Sequence, residues 1–246
     1  MAMEKENPLS KSGSNWTQVV IQILTIILLA VMTFYFYKLQ GTLSDLIKHI
    51  ENQEVILEQS PTSSRREFSG AISVQDSPTI NDADNAKVVV VEFSDFECPF
   101  CAKASQTVSQ LQKDRNMVLF VHKDFPLKYH TQAENAAVAA RCAGEQNKFW
   151  EYYQLIYSEA SFSEESYIDY AGKVGVDIQS FETCLEDPEQ LNRVKQDFEE
   201  GVEIKIDKVP LFIVGNFSIN NGTIQVQGAY YSADELAAAI DLYTTK

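Results

Sequence analysis

The stretch KVVVVEFSDFECPFC, residues 87–101, decides the fold of this 246-residue chain. Its first half, KVVVVEFS, has apolar residues on both faces, as in a strand in the middle of a covered sheet. Cys98 ends the strand and opens a helix that we expect to reach about Lys113. A second strand lies in NMVLFVHKDFPL, residues 116–127. Strand, helix and strand in this order predict a βαβ unit with a parallel pair.

The rest of the chain extends this unit. Residues 130–204 have the pattern of successive helices, which predicts a helical insert over about 128–206. PLFIVGNFSI and TIQVQG then flank Asn220-Asn221-Gly222, which predicts a β-hairpin. Ser232 and Glu235 fit a capping box at the start of a last helix. The order of elements is βαβ, a helical block, and ββα, an α/β class.

Cys98 and Cys101 are spaced for redox chemistry. Residues i and i+3 share one helix face, within the span that a disulfide needs. Pro99 suits the first helical turn, where its missing N–H costs nothing. The helix N-terminus stabilises a thiolate at Cys98 and lowers its pKa. This predicts Cys98 as the attacking sulfur and Cys101 as the resolving thiol, which releases a mixed disulfide.

Two alternatives to a redox pair are a zinc half-site and two inert core thiols. A zinc site needs two more ligands. Cys142 and Cys184 do not form a second C-x₂-C, and His49, His122 and His130 show no ligand spacing. We therefore expect no metal and no cofactor.

Two further residues support the redox interpretation. Glu92 lies inside the apolar strand, where a carboxylate is costly unless it is paired or neutral, and we expect it to take the proton from Cys101. The alternative is a solvated strand end. Pro210 heads a strand, and a cis Val209–Pro210 bond would leave backbone open beside Cys98. The alternative is a trans proline on an edge strand.

Residues 19–37 carry no charge and, as a helix, rise about 28 Å, close to a bilayer core. We predict a cytoplasmic tail at 1–16 and a transmembrane signal anchor at 17–38, with the domain that carries the cysteines on the extracytoplasmic side, in the periplasm. A cleaved signal peptide and a buried core helix are the alternatives.

Residues 39–86 are predicted as a helical stalk and linker before a domain at 87–246. One seam of the stalk holds Leu39, Leu43, Leu46, Ile50 and Leu57. It predicts either a stalk that makes the protein a homo-oligomer, or an amphipathic helix that packs on the membrane or on its own domain. Residues 59–86 are Ser-, Asp- and Pro-rich, as a linker is.

The charge balance excludes one class of partner. The chain has 35 acidic residues against 20 basic ones, a net charge of −15. Because phosphate binding needs clustered Lys and Arg, we expect no nucleic-acid partner. The four cysteines are compatible with two disulfides and an oxidising compartment.

Four ordered motifs carry a family resemblance: VVEFSDFECPFC, KDFPL, AARCAGEQNKFWEYYQLIY and VPLFIVG. Together they resemble the DsbA-like thiol:disulfide oxidoreductases of the thioredoxin superfamily, over about residues 87–243. The resemblance implies a thioredoxin fold interrupted by a helical domain. It also implies the roles of the site residues: nucleophile Cys98, resolving Cys101, buried acid Glu92, and a substrate-binding surface of Val209, Pro210, Pro99 and Phe100.

The resemblance further implies work outside the cytoplasm. Substrates would be folding proteins with cysteine pairs, and a membrane redox partner would reoxidise the enzyme. The best-known oxidases of the family carry His where this chain has Phe100. At the position before the cis-proline, however, Val209 resembles the residue found in the oxidases. We expect an oxidase. The alternatives are a disulfide reductase or isomerase, and a non-enzymatic membrane-tethered chaperone or metal-binding module.

Some family members have a second disulfide, so the resemblance also favours a bridge between Cys142 and Cys184. Such a bridge would close a loop of roughly 40 residues, worth about 4 kcal/mol on the chain-entropy model. Two buried free cysteines are the alternative.

Overall fold

The computed structural model describes residues 14–58 and 66–245, and the chain divides into two units, 1–64 and 65–246. The first unit holds one helix, α1 (Ser14–Glu58). Its stretch Trp16–Ser44 is 29 residues long and apolar, and its large apolar side chains are exposed. At 1.5 Å per residue this stretch rises about 43 Å, more than a hydrocarbon core of about 30 Å. By length and composition the helix can cross a membrane.

The second unit is built on a six-stranded sheet in the order β1-β6-β5-β3-β4-β2. Its strands are β1 (Glu67–Ser73), β2 (Thr79–Ile80), β3 (Val88–Ser94), β4 (Val118–Asp124), β5 (Leu211–Asn220) and β6 (Thr223–Tyr231). Strands β3 and β4 are parallel, and all other neighbours are antiparallel. The predicted βαβ unit and its parallel pair are confirmed.

Strand β3 is buried along its whole length because both faces of the sheet are covered. Val88 and Val90 pack toward the helices α2 (Pro99–Asp114) and α8 (Leu236–Thr244). Val89 and Val91 pack on the opposite face, in a core that includes Ile72 and Phe125. Alternate side chains of a strand point to opposite faces, so a strand covered twice needs apolar residues at both.

Five helices lie between β4 and β5: α3 (Ala133–Gly144), α4 (Phe149–Glu159), α5 (Glu164–Val174), α6 (Ile178–Leu185) and α7 (Pro188–Glu203). The alanine-rich α3 is buried over most of its length, and its small side chains let α4 pack closely with Tyr152 and Tyr153 fully buried. Asp177 and Asp187 cap α6 and α7 by accepting backbone N–H groups. The insert therefore has a hydrophobic core of its own, built mainly from α3 and α4.

The predicted hairpin and capping box are both confirmed. Strands β5 and β6 pair from Phe212↔Tyr231 to Asn220↔Thr223. The turn residues Asn221 and Gly222 have φ of 47° and 71°, as a two-residue hairpin turn requires. Ser232 and Glu235 form the capping box.

Residues 66–86 differ from the predicted linker. Strand β1 joins the sheet beside β6, with Glu67 opposite Ala229, and β2 pairs with β4. Phe68 and Ile72 are buried in the sheet core. Alternate residues of EFSGAIS face the core, but Gly70 occupies the core-facing position between Phe68 and Ile72, so the apolar period of two is interrupted. The compact unit therefore begins near residue 65 rather than 87.

The stalk prediction falls partly outside the described residues. Helix α1 continues through the predicted stalk to Glu58. Residues 59–65 and the side chains of Leu46, Ile50 and Leu57 are outside the description. Oligomerisation through this seam therefore stays a prediction.

Candidate active site

The two cysteines of the C-P-F-C motif lie at the junction between β3 and α2. Cys98 is the N-cap of α2 with an extended backbone, φ −80° and ψ 120°, and Pro99 occupies the first helical position. The Cys98 N–H donates to the Asp95 carbonyl oxygen at 3.1 Å, which closes the turn. Both cysteines are free thiols in the structure; 4% of Cys98 is exposed and none of Cys101. The more accessible sulfur is therefore that of Cys98.

The environment separates the two thiols in acidity. A hydrogen bond from the Cys101 side chain, helped by the backbone N–H groups of Cys101 and Phe100, lowers the pKa of Cys98 from an ordinary value of 9.0 to about 6. Burial and the charge of Asp95 oppose this shift. Burial, followed by the hydrogen bond to Cys98, raises the pKa of Cys101 far above its ordinary range. At neutral pH the pair thus holds a thiolate at Cys98 and a thiol at Cys101.

The Val209–Pro210 segment lies close to the Cys98 sulfur. The peptide bond between these residues is cis, and Pro210 directly precedes β5, which pairs with β3. The Cys98 Sγ lies 4.0 Å from the Val209 carbonyl oxygen. Phe100 is 72% exposed beside the thiols. The backbone that leads into β5 and the Cys98 sulfur are therefore close neighbours.

Glu92 is a buried acid, with 2% of its surface exposed, so it is not a solvated strand end. Its two carboxylate oxygens each lie 3.0 Å from the Tyr153 hydroxyl, and its Oε2 lies 3.6 Å from His122 Nδ1. No hydrogen bond joins Glu92 to Cys101 among the contacts of the described residues. Cys101 instead interacts with the hydroxyl of Ser94, which hydrogen-bonds the Tyr157 hydroxyl at 2.8 Å.

Behind Glu92 lies a buried chain of charges that the sequence analysis missed. Burial alone would lower the pKa of His122, but hydrogen bonds to Asp124 and Glu92 raise it to about 9. Asp124 in turn accepts a hydrogen bond from Arg141 at 2.5 Å. Arg141 also pairs with Asp197. The polar run H-K-D inside the apolar strand β4 is a signal of such a network, because charges are buried only when they are paired.

A second group missed by the sequence analysis surrounds the turn before Cys98. The Asp95 Oδ2 accepts hydrogen bonds from His130 Nδ1 at 2.8 Å and from the Leu127 backbone N–H at 2.7 Å. In sequence, His130 is 35 residues away from Asp95. In the sequence, the position of Asp95 directly after a buried strand indicates a carboxylate that needs a hydrogen-bond partner. Which distant residue supplies that partner depends on the fold.

Cys142 and Cys184 form a disulfide that joins α3 to α6, with an S–S distance of 2.05 Å and Cα atoms 5.7 Å apart. It is placed inside the helical insert, and Cys142 is fully buried. Among the described residues, no group of three or more His, Cys, Asp or Glu side chains converges as a metal site.

The family profile Thioredoxin_4, described as thioredoxin, matches residues 79–241. The chain belongs to the thioredoxin family. This confirms the predicted superfamily and α/β fold class. The matched span covers β2 through most of α8, and it contains both cysteine pairs, Glu92 and the cis-proline segment.

Two relatives are antiporters matched over part of their length. The chain is 32% identical over 156 residues to "Na(+)/H(+) antiporter NhaA 3" of Salinispora tropica, covering 60% of this chain and 24% of that protein. It is 31% identical over 157 residues to "Na(+)/H(+) antiporter NhaA 1" of Salinispora arenicola, covering 63% and 23%. The chain thus spans about a quarter of the length of these relatives.

Solved structures share the fold at low identity. BdbD from Bacillus subtilis, in its oxidised form, is 20% identical with a TM-score of 0.59, covering 74% of this chain and 100% of BdbD. A thioredoxin-like oxidoreductase from Silicibacter pomeroyi is 22% identical with a TM-score of 0.57, covering 70% and 94%. The thiol-disulfide exchange protein alpha-DsbA2 from Wolbachia pipientis is 19% identical with a TM-score of 0.56, covering 68% and 86%. The second unit has the DsbA-like thioredoxin fold.

Proposed function

We propose that this protein catalyses thiol–disulfide exchange and that its working direction is the oxidation of cysteine pairs in folding proteins. The observation that carries the proposal is the unequal acidity of the two thiols. Cys98, with a pKa of about 6, is a good leaving group, whereas the buried Cys101 favours the thiol. Stabilising the reduced pair in this way makes its disulfide more oxidising.

The reaction proceeds by two thiolate attacks. A substrate thiolate attacks the Sγ of Cys98 in the Cys98–Cys101 disulfide; the S–S bond breaks, and Cys101 leaves and takes up a proton. A second substrate thiolate then attacks the substrate sulfur of the mixed disulfide and releases Cys98 as a thiolate. The substrate loses two electrons and the enzyme pair gains them. A membrane redox partner would take these electrons to restore the disulfide.

The surrounding residues have supporting roles in this proposal. The backbone beside cis-Pro210 and the exposed Phe100 ring bind the substrate next to Cys98, while Pro99 sets the start of the helix. Glu92 exchanges the proton of Cys101 during the reaction. Because Tyr153 and His122 already occupy its carboxylate, this exchange requires a rearrangement or a bridging water.

We also propose that α1 anchors the protein in the cytoplasmic membrane through residues 19–37, with the catalytic unit outside. The apolar stretch Trp16–Ser44 supports the anchor. The Cys142–Cys184 disulfide supports the outside location, because such bonds persist in oxidising compartments.

The reduction potential of the Cys98–Cys101 pair tests the direction. The full chain, in detergent, is equilibrated with glutathione buffers, and the reduced fraction is followed by alkylation. An oxidase should lie near −120 mV, and a thioredoxin-like reductase near −270 mV. A value at the reducing end would overturn the proposed direction in favour of the reductase or isomerase. Phe100 favours that second candidate, since its ring offers no hydrogen bond to the thiolate.

The variant Cys98→Ser tests the activity itself. Exchange with a reduced two-cysteine peptide should vanish. A chaperone that uses the same surface would still suppress the aggregation of an unfolded protein in this variant, and catalysed exchange that persisted in it would exclude Cys98 as the nucleophile.

A further inference from the structure

The loop after β4 folds back onto the turn that precedes Cys98, and Asp95 is the point of contact. Three hydrogen bonds converge on its carboxylate: from the Leu127 N–H at 2.7 Å, from His130 Nδ1 at 2.8 Å, and from the Glu97 N–H at 2.8 Å. The Asp95 side chain is fully buried, and 16% of the His130 side chain is exposed. A buried carboxylate thus has one ionisable partner that is open to solvent.

Asp95 is also coupled to both redox thiols. Its carbonyl oxygen accepts the Cys98 N–H at 3.1 Å. Its negative charge raises the pKa of Cys98, against the lowering effects of the Cys101 side chain and of the backbone N–H groups of Cys101 and Phe100. Its backbone hydrogen-bonds the Cys101 sulfur. Since the carboxylate is buried, water screens its charge only weakly. Anything that neutralises Asp95 should therefore stabilise the Cys98 thiolate.

We propose that His130 is a positioning residue of the redox centre, which acts on Cys98 through the carboxylate of Asp95. Its Nδ1–H holds the carboxylate in place and offsets its charge. No described hydrogen bond joins His130 to Cys98, so the effect passes through Asp95. The inference rests on the proposed exchange at Cys98 and names a residue that controls it.

Of the three donors to Asp95, two are backbone N–H groups and His130 Nδ1 is the side-chain donor. This side chain is partly exposed, so it can be replaced without removing a residue of the hydrophobic core. Other charged groups also face this loop and contribute to the local field. They are Glu97, whose Oε2 accepts the Gln132 N–H, and Lys128, Glu134 and Lys195, which line the same cavity as His130.

The test is a titration of the Cys98 thiolate in the reduced full chain, by ultraviolet absorbance, in the wild type and in five variants. His130→Ala should raise the pKa of Cys98 and reduce its acid dissociation constant roughly threefold to tenfold, as expected for one partly screened charge. Asp95→Asn should shift the pKa the other way. In the Asp95→Asn background, His130→Ala should cause no further shift.

Two variants keep the test independent of folding. His130→Gln retains a side-chain N–H donor on a more flexible side chain, and its Cys98 pKa should fall between those of the wild type and His130→Ala. Lys128→Ala removes an exposed cation from the same loop and should leave the pKa within about a twofold change in the constant. Thermal unfolding of each variant checks that the fold is intact.

An unchanged thiolate pKa in both His130 variants would overturn the inference, and so would an equal shift with and without Asp95. The proposed function is judged separately, by whether the wild-type Cys98 exchanges with oxidised glutathione. If the Cys98 pKa shifts as expected in the variants but the wild type exchanges no disulfide, the proposed function is refuted and the effect of His130 on Cys98 through Asp95 still stands.

Discussion

The chain holds two cysteine pairs, and they lie in opposite settings. Cys98 and Cys101 are neighbours on one helix turn, free, and placed where β3 meets α2. Cys142 and Cys184 are 42 residues apart and join two helices of the insert as a disulfide. A bridge between neighbours restricts the unfolded chain little, whereas a distant bridge restricts it strongly. The first pair is therefore suited to opening and closing, and the second to stability.

The surroundings of the two pairs also favour reactivity at Cys98 and stability at Cys142. Cys98 has backbone N–H groups that favour its thiolate and a neighbouring thiol that can attack its bonds. Cys142 is buried among the alanines of α3 and the aromatic residues of α4. Reactivity at a cysteine thus follows from the groups that stabilise its thiolate and from access to it, rather than from the presence of a partner cysteine alone.

The strongest way to break this comparison is the variant Cys101→Ser. Without Cys101 no Cys98–Cys101 disulfide can form, so oxidation of a two-cysteine peptide should fall by at least about a hundredfold. When the reduced variant is given a peptide disulfide instead, Cys98 forms a mixed disulfide that no internal thiol can release. The adduct should accumulate and be visible by non-reducing electrophoresis and mass spectrometry. Release of substrate at the wild-type rate would show that Cys101 is not the resolving cysteine.

The distant pair is tested by replacing both of its cysteines, as Cys142→Ala together with Cys184→Ala. The free energy of unfolding should fall by about 4 kcal/mol on the chain-entropy model, because the closed loop spans 42 residues. Denaturant unfolding with Cys98 and Cys101 kept reduced measures this loss. The rate of exchange at Cys98 should change less than about twofold under native conditions, and a larger loss of exchange would link the two pairs functionally.

The pH dependence of Cys98 sharpens the contrast. Its pKa of about 6 in the folded protein lies below the ordinary 9.0, so the alkylation rate of the reduced protein should rise with a midpoint near pH 6. Because the folded pKa is lower than the unfolded one, the Cys98 thiolate stabilises the reduced fold, and this stabilisation is complete above about pH 9. It decreases as the pH falls from 9 to 6 and is absent below about pH 6. Thermal unfolding of the reduced wild type and of Cys98→Ser should therefore differ more at pH 9 than at pH 5. A midpoint near pH 9 would contradict the assigned environment.

The smallest expected effect concerns Ser94. Its hydroxyl opposes the rise in the pKa of Cys101 and hydrogen-bonds Tyr157. Ser94→Ala should slow the release of a mixed disulfide about fivefold, the value of one hydrogen bond of roughly 1 kcal/mol. Stopped-flow release of a fluorescent peptide measures the rate. Ser105→Ala, which removes a hydroxyl bonded only to the Ala102 carbonyl oxygen of α2, is the matched control.

Local patterns explain what could be predicted of the fold and the site. The apolar run of β3, the proline after Cys98 and the Asn-Gly turn each act within a few residues, so their consequences can be derived without tertiary contacts. Strand β1 was missed because Gly70 interrupts its apolar alternation, and its partner β6 lies at the other end of the chain. The partners of Glu92 were missed for a similar reason, since Tyr153 is 61 residues away.

The sequence by itself determined the βαβ core, the hairpin, the apolar helix and the placement of Cys98 at a helix N-terminus. All of these depend on side-chain periodicity and on the backbone preferences of neighbouring residues. Only the tertiary structure decided which distant groups meet the redox pair: Val209 against the Cys98 sulfur and His130 against Asp95. The reason is physical. Long-range contacts depend on how the sheet and the helical insert pack together, and that packing is a property of the whole core.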